Sequence, residues 1–85
     1  MNPDKYAPLE QYLRDLPVNQ QEVTISFEQI EHIMGEKLPP LAHEDPLWWG
    51  NQRKGMFVDV IPWMSAGWMV DKADTREKWV LFVRQ

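Results

Sequence analysis

Apolar positions change rhythm along the chain, and each rhythm predicts an element. Leu9, Leu13 and Leu16 recur at helical spacing, and Tyr12 widens their stripe. Pro8 suits the first helical turn, where its missing N–H costs nothing, and Pro17 stops the helix. Val23, Ile25 and Phe27 then alternate with Thr24 and Ser26, the period of a half-buried strand. That strand runs directly into a second helix. Ser26 and Gln29 have capping-box spacing, Phe27, Ile30, Ile33 and Met34 share one face, and Gly35 stands where a helix closes in the left-handed conformation.

Punctuation dominates the middle. Pro39 and Pro40 rule out continued helix, although Pro40 can open a short one, and Pro46 to Asn51 reads as a turn anchored by Trp48 and Trp49. A third helix is predicted from about Asp59 to Ala66, with Asp59 as N-cap and Gly67 as its close. That closure predicts a Trp63–Trp68 contact. The tail reads as a β-hairpin: Trp68 to Lys72, a turn over residues 73–77, and Lys78 to Arg84. In the last strand Trp79, Leu81 and Val83 share one face and Val80 and Phe82 the other, so cover is expected on both sides.

The order helix, strand, helix, turn, helix, strand, strand is that of an α+β winged helix with a small antiparallel sheet, a single domain over residues 1–85. In that scheme the third helix recognises the partner and the hairpin turn is the wing.

Composition sharpens the picture. The 85 residues include five Trp, five Met, three Phe and two Tyr but no Cys. A domain this small has no disulfide to supplement its core, so bulky residues must supply it, at about 2–3 kcal/mol per buried large aromatic. Two or three Trp are expected inside and one at a partner surface. The polar start and the absence of a long apolar run give no expectation of a secretory signal or membrane span, and with no Cys a cytoplasmic protein is expected.

Charge is uneven within a net −4. Residues 1–50 set three bases against nine acids, and residues 51–85 set six bases against four acids. An anionic partner would therefore meet the C-terminal half. The candidate contacts for nucleic acid or another partner are Trp48, Asn51, Gln52, Arg53 and Lys54, which combine indole, amides and cations, with Lys72, Arg76 and Lys78 on the wing. Plain roles compete for each. Trp48 and Trp49 can fill the core, Arg53 and Lys54 can be solvated, and Asp71, Asp74 and Glu77 interleave the wing cations.

Nothing reads as a catalytic centre, and no enzyme activity, metal or cofactor is expected. Ser26 and Ser65 have no activating context, and His32 and His43 lack ligand spacing. The predicted third helix offers Asp59, Val60, Ile61, Met64 and Ser65, few of which read base edges. The expectation is a non-enzymatic binding module, with nucleic-acid binding through the third helix and wing as the leading reading. The alternative is protein–protein interaction, either as a small acidic inhibitor or accessory protein of a nucleic-acid-binding complex, or through an apolar homodimer patch that includes Met56, Phe57 and Val58.

The chain also resembles a family of small prokaryotic domains of unknown function. The resemblance is carried by Lys5-Tyr6-Ala7-Pro8-Leu9 with Tyr12-Leu13, Val23 to Phe27 with Ile30-Glu31, Gly35, Leu38-Pro39-Pro40 with Ala42, Trp48-Trp49-Gly50-Asn51, Ala66-Gly67-Trp68 and Phe82-Val83-Arg84. It implies no activity that can be transferred. Two departures stand out: His43-Glu44-Asp45 is acidic where members are often basic, and Met56 to Ile61 is unusually apolar. Both weaken a DNA-binding reading.

Overall fold

Ser26 joins a strand to a helix with no loop between them, and this junction sets the frame. The computed structural model describes residues 3–50 and 62–85. Its elements are a 3₁₀ turn (Pro3–Tyr6), α1 (Ala7–Arg14), β1 (Glu22–Ser26), α2 (Phe27–Met34), α3 (Pro40–Glu44), a 3₁₀ turn (Pro46–Trp49), α4 (Pro62–Ser65), β2 (Trp68–Asp74) and β3 (Trp79–Arg84). The fold is α+β, with helices packed on one face of an antiparallel sheet of order β1-β3-β2.

Local chemistry explains the element ends. Ser26 is extended, and its Oγ accepts from the Gln29 N–H at 3.0 Å, the expected N-cap. Gly35 closes α2 at φ 76°, and Gly67 follows α4 at φ 87°. The helix expected from about Asp59 is seen over Pro62–Ser65; its Asp59–Ile61 portion lies outside the described residues. α1 ends at Arg14, earlier than the Leu9-Leu13-Leu16 stripe suggests. Pro17 disfavours helical backbone at Leu16, and Leu16 packs against the core from the following turn instead.

β1 pairs with β3 and β3 with β2, so the strand after the first helix joins the C-terminal hairpin. Ile25, Val80, Phe82 and Trp68 point inward and are buried. The hairpin differs from expectation in two respects: the last strand begins at Trp79, with Lys78 in the turn, and β2 continues through Asp74 instead of ending at Lys72. The cause of the second is a β-bulge at Asp71, between the Val70–Phe82 and Lys72–Leu81 pairs. Strict alternation from Trp68 and Val70 would turn Lys72 into the core. The extra residue turns Lys72 outward and brings Ala73 in beside Val80.

Three tryptophans fill the centre. Trp49, Trp63 and Trp68 are each at most 1% exposed. Trp49 stacks on Phe27 with ring centroids 5.3 Å apart, and Trp63 lies 5.7 Å from Trp49 and 6.1 Å from Phe82, which links the helices to the sheet. The Trp49 indole donates to the Ala42 carbonyl at 2.9 Å, and the Trp68 indole to the Leu13 carbonyl at 3.0 Å. Trp63 and Trp68 thus enter one core, with Trp63 turned to the aromatic cluster and Trp68 toward α1. Arg84 lies over Trp68 at 4.3 Å while donating to the Gln20 and Pro17 carbonyls, which ties the α1–β1 loop to β3.

A Cβ at Gly67 would meet nothing within 4 Å, so only backbone conformation opposes a side chain there. Gly67→Ala is expected to cost about 1 kcal/mol. Trp68→Phe is expected to cost about 1–3 kcal/mol, because the buried Leu13 carbonyl loses its indole donor. Urea denaturation of both variants checks the two values.

Candidate functional site

The hairpin turn is built by an aspartate. The Asp74 carboxylate accepts from the backbone N–H groups of Arg76, at 3.0 Å, and Glu77, at 2.8 Å, and the Asp74 carbonyl accepts from Lys78 at 2.8 Å. Lys78 closes the turn at φ 64°, a conformation that favours glycine. Its ammonium is directed back at the body of the protein: Nζ donates to the His43 carbonyl at 3.1 Å and lies 5.8 Å from the Phe27 ring centroid. Lys72 instead lies over Trp79, at 5.7 Å, on the outer face of the sheet. Arg76 is exposed at the tip.

The expected wing cations therefore do not converge on one surface. Lys78 is held against α3, Lys72 covers an indole, and Arg76 alone of the three occupies the tip. Trp48 is half-buried against Tyr6, Trp49 and Trp63, with centroids 6.3, 4.8 and 6.5 Å away. Asn51, Gln52, Arg53 and Lys54 lie outside the described residues. The described residues carry seven Lys and Arg against twelve Asp and Glu, so their surface is a net anion.

Two features lie outside the candidate contacts read from the sequence. The first joins α2 to α3. The Glu31 carboxylate accepts from the Leu38 N–H at 2.8 Å and lies 3.2 Å from Nε2 of His43, whose ring meets Phe27 edge-on at 5.2 Å. The Leu38 hydrogen bond lowers the Glu31 pKa from its ordinary value near 4.5; burial opposes this, and the bond and charge of His43 reinforce it. Glu31 and His43 stand twelve positions apart on different helices, so no local spacing reveals the pair. Among the described residues no three His, Asp or Glu groups gather as metal ligands.

The second feature is the outer face of the sheet. Trp79, Leu81 and Val83 of β3 and Met69 of β2 are partly exposed, and none belongs to the core or to the apolar residues packed against it. The alternation along β3 announced this second apolar face, and its residues are partly covered. Every described helix lies on the other side, because the core faces Val80 and Phe82.

A depressed Glu31 pKa contributes stability that is present above about pH 4.5 and is lost as pH falls through the folded value. Glu31→Gln should accordingly be less stable than the parent at neutral pH, and the gap should shrink as pH falls below 4.5, as measured by denaturant unfolding across pH. Lys78→Ala keeps the left-handed backbone but loses the ammonium contacts, whereas Lys78→Gly relieves the backbone. Lys78→Gly should therefore be the more stable variant, by about 1 kcal/mol.

No curated protein and no solved structure matches this chain. No described helix is long and apolar enough to cross a membrane. A model of the domain-of-unknown-function family DUF7662 matches residues 6–85, nearly the whole chain, and the chain belongs to that family.

Proposed function

We propose that this chain is a non-enzymatic protein-binding module with a winged-helix-like arrangement, working in the cytoplasm and docking through the outer face of its sheet. The observation that carries the reading is the partly exposed stripe of Trp79, Leu81 and Val83 with Met69, four apolar side chains that share one sheet face outside the core. An indole beside aliphatic side chains is the composition of an interface centre. Most described cations have partners within the chain. Arg14 pairs with Glu10 and donates to the Ser65 carbonyl, Arg84 holds the α1–β1 loop, and Lys78 holds α3. Phosphate binding would have to compete with those contacts and with the surplus of acids.

Nucleic-acid binding is the second reading. It is favoured by the element order and by the exposed Arg76 at the hairpin tip, with Asn51, Gln52, Arg53 and Lys54 as further contacts. In that reading α4 and the hairpin engage the duplex.

The two readings separate in a low-salt titration of the purified protein with random-sequence duplex DNA, single strands and RNA. No binding is expected. An affinity that falls steeply with salt and is lost in Arg76→Glu would overturn the protein-binding reading. A photo-crosslinking residue at position 81, placed in the full chain inside expressing cells, should give discrete protein adducts, and one at exposed position 28 on α2 should not. Equal adducts from both positions, or none from either, would also overturn it.

A further inference from the structure

The two edges of the sheet differ. β2 is one edge strand and β1 the other. The bulge at Asp71 interrupts β2, and a bulge blunts an edge against further pairing. β1 pairs with β3 without a register shift and carries no proline or lysine. Its register decides which backbone groups are already paired. The Phe27 N–H donates to the Lys78 carbonyl and the Arg84 N–H to the Gln21 carbonyl, each at 2.9 Å. Hydrogen-bonded pairs recur at every second residue, so Val23 and Ile25 turn their groups to β3. Glu22, Thr24 and Ser26 turn theirs to the open edge, where no described strand pairs with them, and all three residues are exposed.

That edge is complementary to itself. A second β1 laid antiparallel, with Thr24 opposite Thr24, exchanges two hydrogen bonds between the Thr24 N–H and C=O groups. Each Ser26 N–H meets the Glu22 carbonyl of the other copy, which accepts from the Gln20 side-chain amide at 3.2 Å and keeps a second lone pair. The side chains suit the same register. Thr24 faces Thr24, a favourable cross-strand pair. Glu22 faces Ser26, whose Oγ accepts from the Gln29 N–H and keeps its own proton to donate to the carboxylate. The two Glu22 stand at opposite ends of the seam, about 13 Å apart, farther than the Debye length at physiological salt. Exposed Glu28, two residues beyond Ser26, adds further negative charge, and β1 carries no base. Backbone pairing and not charge attraction therefore makes this contact.

We propose that the chain forms a homodimer by antiparallel pairing of two β1 edges about a two-fold axis through Thr24, which joins two three-stranded sheets into one of six strands. The outer face of each sheet stays open, so the dimer is independent of the docking reading above. It sets two docking faces side by side, an arrangement that raises avidity for a repetitive partner. The seam is one short strand from each copy, so the association is weak.

Sedimentation and amide exchange of the full chain, up to a concentration of about 1 mM, test the proposal. The parent should pass from monomer to dimer as concentration rises, and exchange of the Thr24 amide should slow with it. The Val23 and Ile25 amides, already paired to β3, should exchange slowly at every concentration. Thr24→Pro removes an outward N–H and leaves the β3 ladder intact. Thr24→Lys sets two cations opposite one another across the seam. Each variant should weaken the dimer at least about tenfold with unchanged far-ultraviolet circular dichroism. Thr24→Lys keeps the test decisive if the proline variant fails to fold. Added salt should not weaken the parent dimer. A parent that stays monomeric at every concentration overturns the proposal, as does a dimer that both variants leave intact or that salt dissociates. In the crosslinking experiment a self-adduct, recognised by its doubled mass, reports this seam, and adducts with other proteins alone decide the docking reading.

Discussion

Burial of tryptophan with its N–H satisfied is the constraint from which the rest of this structure follows. A buried indole adds a large apolar area but carries one donor that must find an acceptor. Here the acceptors are backbone carbonyls of other elements. Trp49 uses Ala42 on α3, and Trp68, at the start of β2, uses Leu13 on α1. Each bond fixes where two elements stand relative to one another. Trp63 occupies the junction between Trp49 and Phe82, so the helical layer and the sheet share one aromatic contact zone. In a chain without disulfides these contacts perform the work of staples.

A second constraint comes from the one irregularity in the sheet. β2 leaves α4 with Trp68 and Val70 directed inward and must then accommodate Asp71 and Lys72. The bulge resolves the conflict: it inverts the alternation, exports the lysine and admits Ala73, a side chain small enough to sit beside Val80. The same step moves Lys72 onto the outer face, where its ammonium covers Trp79. Folding and surface character are thus set by one backbone feature.

The placement of charge separates the two classes of partner. Electrostatic capture of a polyanion needs cations that share a surface and are free to exchange counterions. Lys78, Arg84 and Arg14 hold the chain's own carbonyls, and Lys72 covers an indole. An apolar, aromatic sheet face has no such requirement. It gains from contact with a complementary surface of similar shape, and its charged borders then select orientation more than they add affinity.

Much of the fold was legible in the sequence because it depends on neighbours in the chain. Leu9 and Leu13, the Ser26–Gln29 cap, the left-handed Gly35 and Gly67, the short helix opened by Pro40 and the C-terminal hairpin all arise from spacing and backbone preference acting over a few residues. The candidate surfaces were only partly legible. The alternation of Trp79 to Val83 marked two apolar faces, yet which face the helices would cover depended on how α1, α2 and α4 packed. The direction of Lys78 depended on α3 arriving beneath the turn, and the Glu31–His43 link on two helices meeting. The reach of β2 depended on a bulge that composition does not announce. Local sequence by itself determined where elements begin and end, because caps, prolines and periodicity act through short-range sterics and hydrogen bonds. Only the tertiary structure decided which side chains share a surface, because that is a property of layers brought together by burial across tens of residues.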